Sequence, residues 1–524
     1  MSARCVMVLG TTSGAGKSWL TTALCRWYAR QGLRVAPFKA QNMSNNARVV
    51  VGGEIGSAQY FQALAAGVVP DVRMNPVLLK PETDTRSQVV LMGQVEAALS
   101  RLDWRSRSAY VWPTVCEALD ALIATHDLVV IEGAGSPAEI NLRDTDYVNM
   151  RVALHAQAAC LLVTDIDRGG SFAHLYGTWA LLPPQEQACL RGFVLNRFRG
   201  DPALLPPGPQ MLQERTGIPT LATLPMWRGH GLPEEDGLYD AVAVEPAPAQ
   251  RTVAVLAGPH ISNLDEFQPL RQLPGVRLLW VRSAAALGAL RVDDWIILPG
   301  SKATSADLAW MRTQGLDRAV TAHAARGGPV LGVCGGLQML GEALIDPHGI
   351  DGNGPGLGLL PVVTVFAQDK TVRHAQLRFG ELRGPWSALS GLQVQGYEIH
   401  HGETRPHAAM EAAGDRVRVA AEGGLAWQNA AGNVLGLYLH GLFEQAEVLQ
   451  AFFGAGVPSL ASVFDGLADF VDRHFAPGAL AGLIAPQPLR DAQSRPASTP
   501  FAASPADSAP ASADPAPRSS RPAP

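Results

Sequence analysis

The stretch from Val6 to Leu24 reads VMVLGTTSGAGKSWLTTAL and has the residue types of a phosphate-binding turn. Gly14 and Gly16 allow backbone N–H groups to approach an anion closely, and a helix predicted to start near Lys17 points its positive end at the same place. Lys17 is placed to reach the outer phosphates of a nucleotide, and the Ser18 hydroxyl to bind Mg²⁺. The stretch therefore predicts binding of ATP and Mg²⁺, with a glycine turn that binds no nucleotide as the alternative.

The first glycine of this turn stands one residue earlier than in the usual P-loop pattern. The position six residues before Lys17 is Thr11, and the glycine is Gly10. A loop with this spacing resembles the variant found in dethiobiotin synthetase and its relatives, which use ATP to activate a carboxylate. The spacing favours an enzyme of that chemistry.

Three further polar side chains, Lys39, Glu132 and Asn196, each follow a short apolar stretch predicted as a strand. The carboxyl ends of parallel strands form the ligand-binding edge of an open α/β sheet. We therefore predict Lys39 near the phosphates, Asn196 at a nucleobase edge and Glu132 as a second Mg²⁺ ligand, since Mg²⁺ between phosphates prefers one or two carboxylates. Capping of a helix is the alternative role for Glu132.

The loop after Lys39 is dense in amide and hydroxyl side chains. Its members are Gln41, Asn42, Ser44, Asn45 and Asn46. Such a loop forms turns readily, but this density beside a predicted phosphate site favours ligand binding.

A second reactive stretch is GPVLGVCGGLQML, from Gly328 to Leu340. An apolar strand leads into Cys334 at a tight turn, and glycines then begin a helix, which is the pattern of a nucleophile elbow with a thiol. The helix N-terminus favours the thiolate, and the amide of Gly335 can hold an oxyanion. Gly300, in the turn PGSKATSADL after another predicted strand, is our second oxyanion donor. A buried inert cysteine is the alternative.

A thiol nucleophile needs a base, and three histidines lie downstream of Cys334. The stretch VLGLYLH predicts a strand that ends in His440, whereas His400 and His401 lie in GYEIHHG. Residue types alone leave the choice among the three open.

Composition excludes several other classes of protein. The 524 residues carry a net charge of −5, with 47% hydrophobic and 17% charged residues, which does not predict nucleic-acid binding. No run of about 18 apolar residues predicts a membrane span. Six scattered cysteines predict reduced thiols and a cytoplasmic location. A strand predicted so near the N-terminus leaves no room for a signal peptide.

The pattern predicts an α/β fold with two doubly wound domains, an N-terminal P-loop domain and a C-terminal domain that carries the Cys334 elbow. We place the first at 1–240, an Ala/Pro-rich linker at 241–252 and the second at 253–450. Residues 455–485 predict a helical segment, and 486–524, rich in Pro, Ala and Ser, a disordered tail.

Several long motifs carry a resemblance to a known family. They are PFKAQNMSNNA, VIEGAGSPAEINL, DIDRGGSFA, VLNRFRGD and LPEEDG. They look like the cobyric acid synthase family, glutamine-dependent enzymes of cobalamin biosynthesis, over roughly residues 4 to 450. The resemblance implies amidation of the b, d, e and g carboxylates of adenosylcobyrinic acid a,c-diamide, with one glutamine and one ATP consumed for each amide.

The second half resembles the class I glutamine amidotransferases, in which a cysteine attacks the glutamine amide and a histidine transfers a proton to the departing ammonia. This resemblance selects His440 as the partner of Cys334. Many such domains have a glutamate two residues after the histidine, but this chain has Leu442 there, and Glu444 is out of register. The resemblance implies a branch with a Cys–His pair.

Together these features predict that ATP converts a corrin carboxylate into an acyl phosphate, which ammonia from glutamine then attacks along a sheltered path. The nearest alternative is cobyrinic acid a,c-diamide synthase, which acts on other corrin carboxylates. A regulatory P-loop ATPase with a decayed glutaminase domain is another. The sequence leaves open whether copies of the chain form a homo-oligomer.

Overall fold

The computed structural model describes residues 3–83, 85–233 and 250–485. Most of the predicted linker and the predicted tail at 486–524 therefore lie outside the described residues. Within the described ranges, no helix combines the length and the apolar character needed to cross a membrane.

The first domain combines a large parallel sheet with two small sheets. Its strands are β1 (Arg4–Gly10), β2 (Val35–Phe38), β3 (Gln41–Met43), β4 (Ala47–Val50), β5 (Gly53–Gly56), β6 (Val77–Thr83), β7 (Arg86–Leu91), β8 (Gln94–Val95), β9 (Leu128–Glu132), β10 (Ala159–Asp165), β11 (Leu190–Phe198) and β12 (Thr220–Pro225). Its α-helices are α1 (Lys17–Arg30), α2 (Ser57–Ala66), α3 (Ala97–Ser100), α4 (Trp104–Thr125), α5 (Met150–His155), α6 (Ser171–Leu181), α7 (Pro184–Gln187) and α8 (Gly208–Thr216).

The large sheet has the order β12-β11-β10-β1-β9-β2, and every neighbouring pair is parallel. Successive side chains of β1 pack into different apolar clusters on its two faces. Val6 and Val8 belong to one cluster, Met7 and Leu9 to the other, and all are fully buried. β1 is therefore a central strand covered on both faces.

The second domain repeats this architecture. Its strands are β13 (Arg251–Leu256), β14 (Ile261–Ser262), β15 (Val276–Val281), β16 (Trp295–Leu298), β17 (Gly300–Ser301), β18 (Val330–Val333), β19 (Ala343–Ile345), β20 (Gly354–Pro355), β21 (Val362–Arg378), β22 (Gln393–Pro406), β23 (Arg418–Ala421), β24 (Ala426–Gln428) and β25 (Val434–Leu437). Its α-helices are α9 (Gln268–Gln272), α10 (Ala284–Gly288), α11 (Thr304–Thr313), α12 (Leu316–Ala325), α13 (Gly335–Leu340), α14 (Ala408–Ala412) and α15 (Ala446–Phe453).

The main sheet of this domain has the order β15-β13-β16-β18-β25-β24-β23. The first five strands are parallel, and β24 and β23 add antiparallel pairs at one edge. Alternate residues of β13 again pack into two clusters, Val253 and Val255 into one and Ala254 and Leu256 into the other. The chain is therefore an α/β protein with two doubly wound domains, as predicted.

After the second domain, the chain returns to the first. Helices α16 (Leu460–His474) and α17 (Ala479–Leu483) pack against α1, and Leu467 is fully buried in the same apolar cluster as Leu24. Trp27 Nε1 donates a hydrogen bond to Asp472 Oδ1 at 2.8 Å, and the Tyr28 hydroxyl donates to the Leu480 carbonyl at 2.8 Å. The end of the described chain thus completes the core of the domain that begins it.

Candidate active sites

The turn between β1 and α1 has the shape of a phosphate-binding loop. Gly14 and Gly16 have φ angles of 70° and 97°, which L side chains rarely adopt. Lys17 Nζ donates to the carbonyl oxygens of Thr12 and Gly135 at 3.0 and 3.1 Å. The ammonium group is therefore held at the turn where the sequence predicts phosphates.

The two predicted Mg²⁺ ligands lie side by side. Ser18 Oγ donates to Glu132 Oε1 at 2.7 Å, and Lys39 Nζ lies 2.8 Å from the same oxygen. Gln62 Nε2 donates to Glu132 Oε2 at 2.6 Å. Burial would raise the pKa of Glu132, but Lys39 and these hydrogen bonds lower it below its usual value. A hydroxyl beside an anionic carboxylate fits the ligand set that Mg²⁺ prefers.

Asn196 holds the phosphate-binding turn through a side-chain hydrogen bond to its backbone. Its Nδ2 donates to the Ala15 carbonyl at 2.9 Å, and its Oδ1 accepts from the Arg197 amide at 2.9 Å. A Cβ at Gly16 would collide with the Asn196 amide, so glycine is required there. Both amide atoms bond to the backbone here, and the contact with a nucleobase stays a prediction.

The Cys334 elbow is present in the second domain. Cys334 joins β18 to α13 with a φ of 52°, a conformation that costs a non-glycine residue energy and persists where packing enforces it. A Cβ at Gly336 would overlap the Leu298 carbonyl, so this turn admits no larger residue. Cys334 is 4% exposed and lines a pocket together with His440.

His440 follows β25 rather than belonging to it, and a distant carboxylate orients it. His440 Nδ1 lies 2.9 Å from Glu266 Oε1, and Glu266 Oε2 accepts from the Gly441 amide at 2.9 Å. Burial alone would lower the pKa of His440, but Glu266 and Cys334 raise it to about 10. The sequence pattern at Leu442 offered no orienting carboxylate, and the structure supplies one from a segment 174 residues away.

The other two candidate bases, His400 and His401, line the same pocket but interact with other groups. The ring nitrogens of His400 bond to the Gly402 carbonyl at 2.9 Å and to Glu398 Oε2 at 3.1 Å. Burial, Lys370 and Lys302 lower the pKa of His401 to about 4. This arrangement favours His440 as the partner of Cys334.

Both predicted oxyanion glycines lie beside the Cys–His pair. A Cβ at Gly300 would lie 2.9 Å from His440 Cε1, and one at Gly335 would lie 2.8 Å from the Ser301 amide nitrogen. Gly300 itself pairs with Ser262 between β14 and β17. The amide beside Gly335 is therefore that of Ser301, the residue after the predicted Gly300.

The first domain contributes to the pocket around Cys334. Asn45 and Lys80 line it together with Lys370 of the second domain. The Glu54 carboxylate lies between the two lysines and pairs with both. Burial would raise the pKa of Glu54, but Lys370 and Lys80 lower it to about 2. The Cys334 pocket is therefore built by both domains.

A buried arginine makes a second link between the domains. Arg48 of β4 is 2% exposed and pairs with Asp265 and with Glu444 Oε1, the latter at 2.6 Å. Its guanidinium also lies over the ring of Tyr397. Glu444 thus binds Arg48 rather than orienting His440. No local sequence signal marked Arg48, because its partners come from distant segments.

Two family models match the two domains. The "CobQ/CobB/MinD/ParA nucleotide binding domain" matches residues 6–229, and the "CobB/CobQ-like glutamine amidotransferase domain" matches residues 252–448. The described Cys334 elbow and the turn before Lys17 fall inside these two matches.

Curated relatives are similar along almost the whole chain. A cobyric acid synthase of Polaromonas naphthalenivorans is 73% identical over 93% of this chain and 100% of its own length. One of Polaromonas sp. strain JS666 is 69% identical over 92% of this chain and 99% of its own length. One of Variovorax paradoxus is 70% identical over 93% of this chain and 100% of its own length.

Proposed function

The chain belongs to the cobyric acid synthase family of glutamine amidotransferase ligases, and we propose that it amidates the b, d, e and g carboxylates of adenosylcobyrinic acid a,c-diamide. Ammonia comes from glutamine, and ATP supplies the energy. The observation that supports this proposal is the presence of two separate clusters of polar side chains in one chain. Cys334, His440 and Glu266 lie together in one, and the glycine turn with Lys17, Ser18 and Glu132 lies in the other.

In the glutaminase centre, the Cys334 thiolate attacks the side-chain amide carbon of glutamine. The amides of Ser301 and Gly335 stabilise the oxyanion that forms. His440, held by Glu266 so that its other nitrogen faces the sulfur, gives a proton to the departing ammonia. Water then hydrolyses the thioester, and glutamate leaves.

In the synthetase centre, the backbone amides around Gly14 and Gly16 and the Lys17 ammonium bind the phosphates of ATP. Ser18 and Glu132 would hold Mg²⁺, which neutralises phosphate charge when bound. A corrin carboxylate oxygen attacks the γ-phosphorus, and ADP leaves. Ammonia then attacks the acyl phosphate carbon, the amide forms and inorganic phosphate is released.

The two centres can be inactivated separately. We expect Cys334→Ser to abolish amidation supported by glutamine and to keep amidation supported by ammonium salts, because only the nitrogen source is lost. Lys17→Ala should lose both, since no carboxylate is activated. Mass spectrometry that counts the amides added to adenosylcobyrinic acid a,c-diamide measures both outcomes. A Cys334→Ser enzyme as active with glutamine as the parent contradicts the proposal.

A further inference from the structure

Lysine occurs at only two places in this chain. Five of the 42 Lys and Arg residues are lysines, namely Lys17, Lys39, Lys80, Lys302 and Lys370. The first two lie at the phosphate-binding turn and beside Glu132, and the other three line the pocket of Cys334. A lysine ammonium is a compact charge that binds carboxylates and phosphates. The three lysines around Cys334 therefore indicate a site for an anionic ligand in that pocket.

Strand β6 of the first domain carries Lys80 towards the sulfur. Leu78 and Lys80 are two residues apart in this strand, so their side chains leave the same face about 6–7 Å apart. Leu78 belongs to a small apolar cluster against which Ile399 of the second domain packs. The Ile399 carbonyl in turn accepts from Cys334 Sγ at 3.5 Å. Lys80 therefore approaches Cys334 from the first domain.

The carboxylates near these lysines do not balance their charge. Lys80 pairs with one oxygen of Glu54 and Lys370 with the other, while Lys302 pairs with Glu82 at 3.1 Å. No other carboxylate of the described residues forms an ion pair with the three lysines. Three ammonium groups thus share two carboxylates, and the side chains of Lys80 and Glu54 are 4% and 1% exposed. A buried charge without a partner is costly, so this cluster is suited to binding one more anion.

Another carboxylate lines the pocket, but the backbone already engages it. Asp351 Oδ2 accepts from the Thr304 amide at 2.8 Å, and Asp351 Oδ1 accepts from the Ser305 amide at 2.7 Å. These amides begin α11, and the N-terminus of a helix favours a negative charge. Asp351 therefore stabilises that helix and leaves the excess charge of the lysines in place.

Two titrating groups show the effect of this excess positive charge. Burial lowers the pKa of Lys80 to about 7, with Lys370 and Lys302 adding to the shift and Glu54 opposing it. Burial, Lys370 and Lys302 likewise lower the pKa of His401, in the same pocket, to about 4. An opposite charge nearby favours the charged form of an ammonium, so an anion bound here would keep Lys80 protonated.

Glutamine carries the anion that this cluster lacks. When its side-chain amide lies at Cys334 for attack, its α-carboxylate lies at the other end of the molecule. Lys80 and Lys370 line the same pocket as the sulfur. A hydrogen bond from an ammonium to a carboxylate is charge-assisted and about twice as strong as one between neutral groups. The two lysines can therefore hold glutamine by the end that does not react.

We propose that Lys80 and Lys370, held together by Glu54, bind the α-carboxylate of glutamine. This inference rests on the proposed function and deepens it, because it assigns the selection of the nitrogen donor to particular side chains. Lys80 and Glu54 belong to the first domain, and Lys370 belongs to the second. The synthetase domain thus helps to choose the substrate of the glutaminase, and neither domain alone holds the complete glutamine site.

Three variants of the full chain separate the charge of Lys80 from its packing. Lys80→Met removes the ammonium and keeps a long unbranched side chain, and Glu54 still has Lys370 as its partner. Lys80→Arg keeps the positive charge. Arg405→Met is the matched control, because it removes a cation of β22 whose side chain is 68% exposed.

The measurement compares two nitrogen donors that differ only at the proposed contact. One is glutamine, and the other is glutaminamide, in which an uncharged amide replaces the α-carboxylate. Each enzyme receives ATP, the corrin substrate and one donor over a range of concentrations, and chromatography of the deamidated donor gives kcat/KM. Mass spectrometry of the corrin gives the amides formed from each donor and, in separate reactions, from ammonium chloride.

We expect the parent to prefer glutamine over glutaminamide by at least about 10- to 100-fold in kcat/KM, the value of a hydrogen bond to a charged group. Lys80→Met should lower kcat/KM for glutamine by a similar factor, mainly through KM, and should change that for glutaminamide little. Lys80→Arg should retain part of the preference, and Arg405→Met all of it. Ammonium-supported amidation should persist in every variant.

A preference for glutamine that is unchanged in Lys80→Met overturns the inference. So does an equal loss with both donors, because Lys80 then has a structural role, and so does a loss of ammonium-supported amidation, because Lys80 then serves the synthetase centre. A parent that does not distinguish the two donors overturns it whether or not the variants fold. A parent that prefers glutamine but forms no corrin amide from any nitrogen source supports the inference and refutes the proposed function instead.

Discussion

The guanidinium of Arg48 lies 5.1 Å from the ring centroid of Tyr397, and that ring stacks on His440 with the centroids 5.2 Å apart. Arg48 belongs to the first domain and the two rings to the second. Arg48 also pairs with Asp265, the neighbour of the Glu266 that orients His440. One buried cation of the synthetase domain therefore packs against the surroundings of the glutaminase histidine.

Loss of this cation should impair the glutaminase more than the synthetase. In Arg48→Met, Asp265 is left buried beside Glu266 without its cation, and a buried pair that loses one partner typically costs about 3–5 kcal/mol. We expect a lower kcat for glutamine hydrolysis and a lower melting temperature, with ammonium-supported amidation largely kept. Steady-state kinetics with each nitrogen source and thermal unfolding measure these effects.

Two further variants test the cause. Asp265→Asn added to Arg48→Met should restore part of the lost activity, because it removes the unpaired charge. Arg34→Met breaks an exposed ion pair, in which the Arg34 side chain is 68% exposed and that of Asp127 is 39% exposed. This control should change neither the activity nor the melting temperature by much. Equal losses with glutamine and with ammonium in Arg48→Met would contradict the prediction.

The charge of Glu266 should determine the pH above which glutamine hydrolysis declines, the alkaline limb of the pH profile. Glu266→Gln keeps an acceptor for His440 but removes the anion that helps to raise the pKa of His440 to about 10. The reaction needs the imidazolium, which is lost as the pH rises through that pKa, so a lower pKa moves the alkaline limb to lower pH. We also expect kcat to fall, by no more than the factor of about 10²–10⁴ that a positioned acid–base group such as His440 contributes.

The pH dependence of glutamine hydrolysis, measured on parent and variant, checks this. Glu403→Gln removes an exposed carboxylate of the same domain and is the control. An alkaline limb at the same pH in Glu266→Gln as in the parent would show that Glu266 does not govern His440.

Glu54 should contribute stability that disappears in acid. Burial would raise its pKa, but Lys370 and Lys80 lower it from 4.5 to about 2. Since the folded-state pKa is depressed, the stabilisation is present above pH 4.5 and is lost as the pH falls towards about 2. We expect the parent to melt at a higher temperature than Glu54→Gln at neutral pH, with the gap closing below pH 4.5. A gap independent of pH would contradict this.

Helix α16 should stabilise the first domain. Leu467 is fully buried against that domain, and Leu→Ala at such sites typically costs about 2–5 kcal/mol. We expect Leu467→Ala to lower the temperature at which the enzyme loses its ammonium-supported amidation activity. Ser462→Ala, on the exposed side of the same helix, should leave it unchanged. Equal effects of the two substitutions would show that the packing of α16 is dispensable.

Sequence reasoning found the features that a single short stretch encodes. The Gly–Lys–Ser turn and the Cys–Gly–Gly elbow need particular backbone conformations. Because few residue types adopt those conformations, the sequence alone identifies both motifs. Glu266 and Arg48 are ordinary charged residues, and what they do depends on partners 174 and 396 residues away. No local pattern could have paired them.

The polar loop after Lys39 shows the same limit in another form. Its density of amides predicted a ligand contact, but not that the loop would run from one centre to the other. Lys39 pairs with Glu132, whereas Asn45 lines the Cys334 pocket. Likewise, the type of Asn196 indicated a hydrogen-bonding role, while its direction was set by packing under Ala15.

The return of α16 to the first domain has a consequence for how the enzyme is made. A ribosome releases this helix only after the whole glutaminase has been synthesised, so the synthetase waits with an apolar groove beside Leu24 uncovered. The core of the synthetase is therefore completed only after the glutaminase domain has been synthesised. Because both domains belong to one chain, they are made in equal number.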